Sequence, residues 1–278
     1  MEKIKLTIPQ FKELKEKGKK FTFITAYDFL LASVIDKTPN EMILVGDSLG
    51  MVVLGYDSTV PVTMEDILHH CRAVVRGAPK TFVVGDMPFG SYNTGVEDAI
   101  RNANRILKEG GADAIKLEGG KNVAHIVEAI VNGGIPVVGH IGLTPQTAAQ
   151  LGGFKVQGKD AEAARQLVED AKALEKAGAF AIVLECIPSP VAKLITQELS
   201  IPTIGIGAGP ECDAQCLVTP DLLGMFDRFV PKMVKQYAQL NSQMVAALNQ
   251  FYQETQSGVF PGPEHSFGMK EEDLKRLY

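Results

Sequence analysis

The sequence predicts a (β/α)₈ TIM barrel with an N-terminal helix and a short C-terminal extension, and three observations carry that expectation. Short apolar runs, several rich in Val and Ile, alternate with amphipathic stretches of helical period. Most of the apolar runs carry Gly, Asp or Pro within their last three residues, as strands buried on both faces of a parallel sheet do. The glycine-rich GIGAG follows the seventh run, and no GxGxxG follows the first, which disfavours a doubly wound open sheet.

Taken in order, the first twenty residues, MEKIKLTIPQFKELKEKGKK, predict a helix that closes the barrel bottom. The strand candidates are FTFITAYD (21–28), EMILVGDS (41–48), TFVVGDMPF (81–89), ADAIKLEGG (112–120), IPVVGHIGL (135–143), AFAIVLECI (179–187) and IPTIGIGAG (201–209). An eighth strand is expected near Leu222 to Phe226. Between them, GVEDAIRNANRILKEGG and KDAEAARQLVEDAKALEKAGA have apolar residues at helical spacing, with Gly at or near the end. FPGPEHSFGMKEEDLKRLY reads as a loop and a short helix. With no linker or low-complexity stretch, residues 1–278 are expected to form a single barrel domain.

The composition excludes several classes. A net charge of −5 without a Lys/Arg cluster argues against nucleic-acid binding. No apolar run reaches a membrane-spanning length, and the charged N-terminus lacks the apolar region of a signal peptide. Cys71, Cys186, Cys212 and Cys216 form no CxxC pair, so they are expected to be reduced structural thiols in a cytoplasmic protein.

Charge at the strand ends points to chemistry. Asp28, Asp47 with Ser48, Asp86, Glu118, His140 and Glu185 all close strands on the C-terminal side, the rim that carries catalysis in barrels. Five carboxylates converging there would repel strongly without a cation. Within ADAIKLEGG, Lys116 and Glu118 are two apart and so share a face, while Ile115 and Leu117 point toward the helices. Oxygen donors from Asp47, Asp86 and Glu118 suit Mg²⁺, while His140 leaves Mn²⁺ or Zn²⁺ open. The glycine before Asp47 and before Asp86 is read as leaving room beside the backbone. His140 could order metal-bound water or a substrate oxygen, or be a histidine satisfied by its neighbours.

ITAYD, LVGDSLGMVVLGYDSTVPVTMEDILHH, RGAP, KLEGG, GHIGLTPQ, GGFKVQGK, LECIP and IGIGAG together resemble the ketopantoate hydroxymethyltransferases, from about Phe11 to Phe267. The resemblance implies a TIM barrel assembled as a homodecamer. It implies transfer of a hydroxymethyl group from 5,10-methylenetetrahydrofolate to 3-methyl-2-oxobutanoate, giving 2-dehydropantoate, with one Mg²⁺ per subunit. It further implies Asp47 and Asp86 as metal ligands, with Glu118 as a direct or water-mediated ligand. Asp47, Ser48, Asp86 and Lys116 would lie at the keto acid, and Glu185 would accept the proton. Cys212, Ala214 and Cys216 depart from the family pattern beside the GIGAG loop.

The chemistry needs such residues. A proton must leave the carbon next to a ketone, and the charge that forms on the ketone oxygen needs a cation. A base such as Glu185 works best with a raised pKa, which a dry pocket can supply. Three rivals remain: a Lys116 Schiff base, an Mg²⁺-dependent lyase of the phosphoenolpyruvate mutase and isocitrate lyase type, and a non-catalytic carrier of keto acid or folate. The second usually carries a KxCG-like loop, absent here, and the third would not need Glu185. The GIGAG glycines are expected to make room for substrates.

Overall fold

The computed structural model describes residues 3–226 and 228–278. Eight strands close a barrel in chain order, each parallel to the next, and β8 pairs back onto β1. They are β1 Phe21–Thr25, β2 Met42–Val45, β3 Phe82–Asp86, β4 Ala114–Lys116, β5 Val137–Gly142, β6 Ala181–Glu185, β7 Thr203–Ile206 and β8 Ala214–Leu217. Helix α1, Ile8–Glu16, precedes β1. Helices α2 Phe29–Asp36, α3 Leu49–Val52, α4 Met64–Gly77, α5 Val96–Lys108, α6 Ala124–Asn132, α7 Ala161–Lys176 and α8 Ser189–Glu198 connect the strands through β7. Among the described residues, no helix is long and apolar enough to cross a membrane.

The first seven strands fall inside the predicted runs, and the eighth does not. Leu222 to Phe226 leaves a short helix, α9 Thr219–Leu222, and turns; the barrel is closed instead by Ala214–Leu217. That strand is only four residues long and holds Gln215 and Cys216 in place of a Val/Ile run. It forms because β1 and β7 both present open edges, so tertiary pairing overrides a weak local preference.

Alternation along the strands makes two apolar layers. Phe21, Phe23, Met42, Leu44, Phe82, Val84, Ala114, Val138, Val183 and Ile204 fill the barrel interior. Ile24, Ile43, Val45, Val83, Ile115, Val137, Ile182 and Leu184 pack outward against the helices. Gly85 belongs to the outer layer: a Cβ there would meet Ile106 Cγ2 at 2.4 Å and Cys71 Sγ at 3.1 Å. Its bareness lets α4 and α5 approach β3, so the room before Asp86 is on the helix side rather than at the barrel mouth.

Helix α1 has Pro at its first turn and a capping box from Thr7 and Gln10. It buries Phe11 against the rings of Phe21 and Phe82, at centroid distances of 5.1 and 5.4 Å, and so plugs the N-terminal end of the barrel.

The described residues fall into two compact units. One runs up to Thr219 and includes Pro231–Val234; the other is Pro220–Val230 with Lys235–Tyr278. The second unit contains α10, Leu240–Ser257, and α11, Glu271–Leu274. Helix α10 has no buried residue and ends at Gly258, whose φ of 74° makes the left-handed cap.

All four cysteines are free. Burial, helped by the charge of Asp86, pushes the Cys71 thiol up to about 12, and burial with Glu185 does the same to Cys216. The thiolate is the reactive form. In the folded protein at pH 8, Cys71 and Cys216 should therefore react with iodoacetamide at least about a hundred-fold more slowly than after unfolding in guanidinium, as peptide mass mapping can show. Phe11→Ala should lower stability by about 3–5 kcal/mol through the cavity it leaves, measured by urea denaturation.

Candidate active site

Strand parity decides which side chains enter the barrel mouth. Asp86 is two residues beyond the interior Val84, Lys116 two beyond Ala114, His140 two beyond Val138 and Glu185 two beyond Val183. Glu118 continues the β4 alternation one step past the strand. The upper tier of the barrel interior is therefore charged where the lower tiers are apolar. Asp47 enters from the turn between β2 and α3, its backbone N–H donating to Asp86 Oδ2 at 3.1 Å.

Lys116 is the hub. Its Nζ lies 2.9 Å from Asp86 Oδ1, 3.9 Å from Glu118 Oε1 and 3.3 Å from His140 Nδ1. His140 also lies 3.5 Å from Glu118 Oε1, and its Nε2 lies 3.1 Å from Glu185 Oε2, close but off hydrogen-bond alignment. Asp47, Asp86, Lys116, Glu118 and His140 are all at most 4 % exposed. The Glu185 side chain, at 13 %, is the most open of the group. Ser48 joins from the start of α3, where its Oγ pairs with Tyr27 Oη at 2.8 Å.

The electrostatics is unbalanced. Four carboxylates face one lysine and one histidine. Burial, then the neighbouring charges of Asp86 and Glu118, raises the Asp47 carboxyl well above its ordinary range. Burial also raises Asp86, although Lys116 opposes it. Burial resists the charge on Lys116, but Asp86, Glu118 and Asp47 outweigh it and lift its pKa. Burial likewise works against ionised Glu118, yet the hydrogen bond and charge of His140, then Lys116, hold its carboxyl below the usual value. Burial and Lys116 push His140 down, while Glu118 and Glu185 draw it up to about 9.

A hard cation fits this donor set. The free donors are oxygens, the net charge is negative, and the two carboxylates raised by burial are Asp47 and Asp86, joined through a backbone hydrogen bond. Among the described residues, no three His, Cys, Asp or Glu side chains form a ready protein-only metal centre. Mg²⁺ does not need one, because it binds through one or two carboxylates and completes its shell with water and substrate oxygens.

Two expectations are revised. Asp28 does not join the group: it caps α2, accepting from Leu31 N at 2.8 Å, and its neighbour Tyr27 reaches Ser48 instead. The GIGAG glycines make room for the protein rather than for a ligand. Gly207 has φ 66° and a Cβ there would meet Met233 Sδ at 2.5 Å; Gly209 has φ 86° and would meet Ser189 Oγ at 2.2 Å.

The sequence reading missed Gln146 and Tyr92, both buried beside the carboxylates. Gln146 Nε2 donates to Asp47 Oδ2 at 2.8 Å, and Tyr92 Oη donates to Gln146 Oε1 at 2.7 Å. It also missed Cys186, whose φ of 47° turns the chain sharply after Glu185. A cavity of about 340 Å³ borders Glu118 and Tyr92 and is further lined by Thr144, Gln157, Leu167 and Asp170.

The sequence matches the family described as ketopantoate hydroxymethyltransferase over residues 5–263. It is 66 % identical to a 3-methyl-2-oxobutanoate hydroxymethyltransferase of Heliobacterium modesticaldum, covering 99 % of both chains. It is 58 % identical to that of Moorella thermoacetica, over 95 % of this chain and 98 % of the other. Among solved structures, a phosphonopyruvate hydrolase bound to oxalate and Mg²⁺ superposes with a TM-score of 0.60 at 13 % identity, covering 98 % of each chain. A 2,3-dimethylmalate lyase of the PEP mutase/isocitrate lyase superfamily gives 0.57 at 15 %, over 97 % and 92 %. These two share the barrel architecture. The sequence match is close and spans nearly the whole length, and on it the chain belongs to the ketopantoate hydroxymethyltransferase family.

Proposed function

We propose that this chain transfers a hydroxymethyl group from 5,10-methylenetetrahydrofolate to 3-methyl-2-oxobutanoate, giving 2-dehydropantoate. Family membership supports the reading, and one observation carries it at the site: three buried carboxylates gather around a single lysine, with the more open Glu185 at their edge. Asp47 and Asp86 would hold Mg²⁺, one per subunit, with Glu118 beside it directly or through water. When bound, Mg²⁺ supplies Lewis-acid stabilisation of negative charge on the keto oxygen.

The chain's own residues do the rest. Lys116 is a buried point charge suited to the substrate carboxylate or the developing enolate oxygen. Ser48, fixed by Tyr27, adds a hydroxyl on the β2 side, and His140 spans Glu118 and Glu185 and can orient both. Glu185 takes the C3 proton. Water releases the folate methylene as formaldehyde, its two hydrogens going to the folate nitrogens; the C3 carbon then adds to that aldehyde, and the new oxygen takes the proton back from Glu185. The cavity beside Glu118 and Tyr92 supports the co-substrate half of the reading, being within the size of small-molecule sites and mixing amide, hydroxyl and apolar walls.

The family pattern also supports a homodecamer. Met244, Val245, Leu248, Phe251 and Tyr252 on α10 are 46–68 % exposed, more apolar surface on one helix than an isolated chain usually shows. Four free thiols support a cytoplasmic setting, and residues 1–278 are read as one functional domain.

Incubation with 3-methyl-2-oxobutanoate in D₂O, followed by NMR, should show loss of the C3 proton with Mg²⁺ and none with EDTA. Glu185→Gln should slow that exchange by about 10²–10⁴-fold. Exchange that is indifferent to Mg²⁺, or to Glu185→Gln, rejects the assigned roles. In thermal unfolding, Mg²⁺ at about 100 times its Kd should add about 2.7 kcal/mol to the wild type. Asp47→Asn should melt higher than the wild type without metal, because a buried repelled carboxylate is gone, and should gain nothing from Mg²⁺.

A further inference from the structure

The GHIGLTPQ segment is among the chain's most distinctive blocks, yet the chemistry above uses only its histidine. Its last residue, Gln146, follows Pro145 in a single 3₁₀ turn after β5 and is 3 % exposed. Its backbone N–H donates to Glu118 Oε2 at 3.0 Å. Its side-chain Nε2 donates to Asp47 Oδ2 at 2.8 Å and to Met87 O at 2.9 Å, and its Oε1 accepts from Tyr92 Oη at 2.7 Å. One residue thus ties the segments that follow β2, β3, β4 and β5.

The amide can sit only one way round. Turned over, Oε1 would face a carboxylate and a carbonyl at under 3 Å, two acceptors with no proton to share. Tyr92 is itself placed by the Glu118 backbone, accepting from its N–H at 3.3 Å. The residue type matters as much as the geometry. A lysine or arginine here would neutralise the carboxylates that a cation needs, and a glutamate would add to their repulsion. A neutral amide orients Asp47 and leaves its charge in place, while the backbone N–H of the same residue holds Glu118.

We propose that Gln146 is the positioning residue of the cation site. It holds the Asp47 and Glu118 carboxylates at the separation and orientation that a hard divalent cation requires, without touching substrate. Tyr92 anchors the oxygen end of its amide. The inference rests on the metal reading above, and its test separates the two.

The probe is Mn²⁺ alone, whose binding to the full-length protein is read by EPR. Gln146→Leu keeps the bulk and removes the side-chain hydrogen bonds. It should weaken Mn²⁺ by about 10–100-fold with an unchanged far-UV CD spectrum, and its turnover should recover as Mg²⁺ is raised. Tyr92→Phe leaves Gln146 in place but removes the hydrogen bond to its Oε1 and so loosens the amide, and should weaken Mn²⁺ by a smaller factor. Should Gln146→Leu fail to fold, Tyr92→Phe carries the test. Wild-type Mn²⁺ affinity in whichever variant folds, with binding lost in Asp47→Asn, overturns the role of Gln146 and spares the metal site. Wild-type affinity in Asp47→Asn overturns both.

Discussion

Among the described residues Lys116 is the one ammonium buried among Asp47, Asp86 and Glu118, and the barrel mouth is organised around it. A buried ion pair is poor evidence of stability in general, but removing one partner of such a pair is costly, about 3–5 kcal/mol. Here the pair also fixes geometry. Lys116 is the register partner of Asp86 in the β3–β4 ladder, the last position the two strands share. A slip of one residue would turn both charges outward into the layer where Ile115 and Val83 pack against helices. The register that buries the apolar side chains is the same register that pairs the charges, so fold and site are specified by one alternation.

That shared alternation explains what the sequence reveals. Seven strands were legible because each is an apolar run, and the facing of Lys116 and Glu118 followed from their spacing of two. The eighth strand was not, because Ala214–Leu217 owes its form to neighbours on both sides rather than to its own residues. Asp28 looked like the other strand-end acids, yet one residue of phase separates a capping carboxylate from a buried one. Gln146 and Tyr92 gave no local sign at all. Both lie in connecting segments, and their partners are 99, 59, 54 and 26 residues away along the chain. Polar residues in loops are ordinary, and only the three-dimensional structure shows that these two are buried and fully used.

The glycines teach the same lesson from the packing side. GIGAG invites a ligand-binding reading, since bare backbone is what a phosphate or a close-lying substrate wants. In the fold, Met233 and Ser189 occupy that space. Gly85 likewise serves the contact between β3 and the helices rather than the adjacent Asp86. A glycine beside a functional residue records close approach without naming what approaches.

The charged tier carries more carboxylates than cationic side chains, and the packing beneath it sets how strongly they interact. The barrel floor, sealed by Phe11 over Phe21 and Phe82, keeps water from the lower tiers. The charged tier above therefore sits in a low dielectric, where both attraction and repulsion are strengthened. Lys116 offsets part of the negative charge, and Gln146 orients carboxylates without offsetting any. Burial and the carboxylates around them therefore raise the Asp47 and Asp86 carboxyls, with Lys116 opposing. On the proposed reading, a divalent cation held by Asp47 and Asp86 would offset that repulsion, so the same crowding that raises their carboxyls would favour its binding.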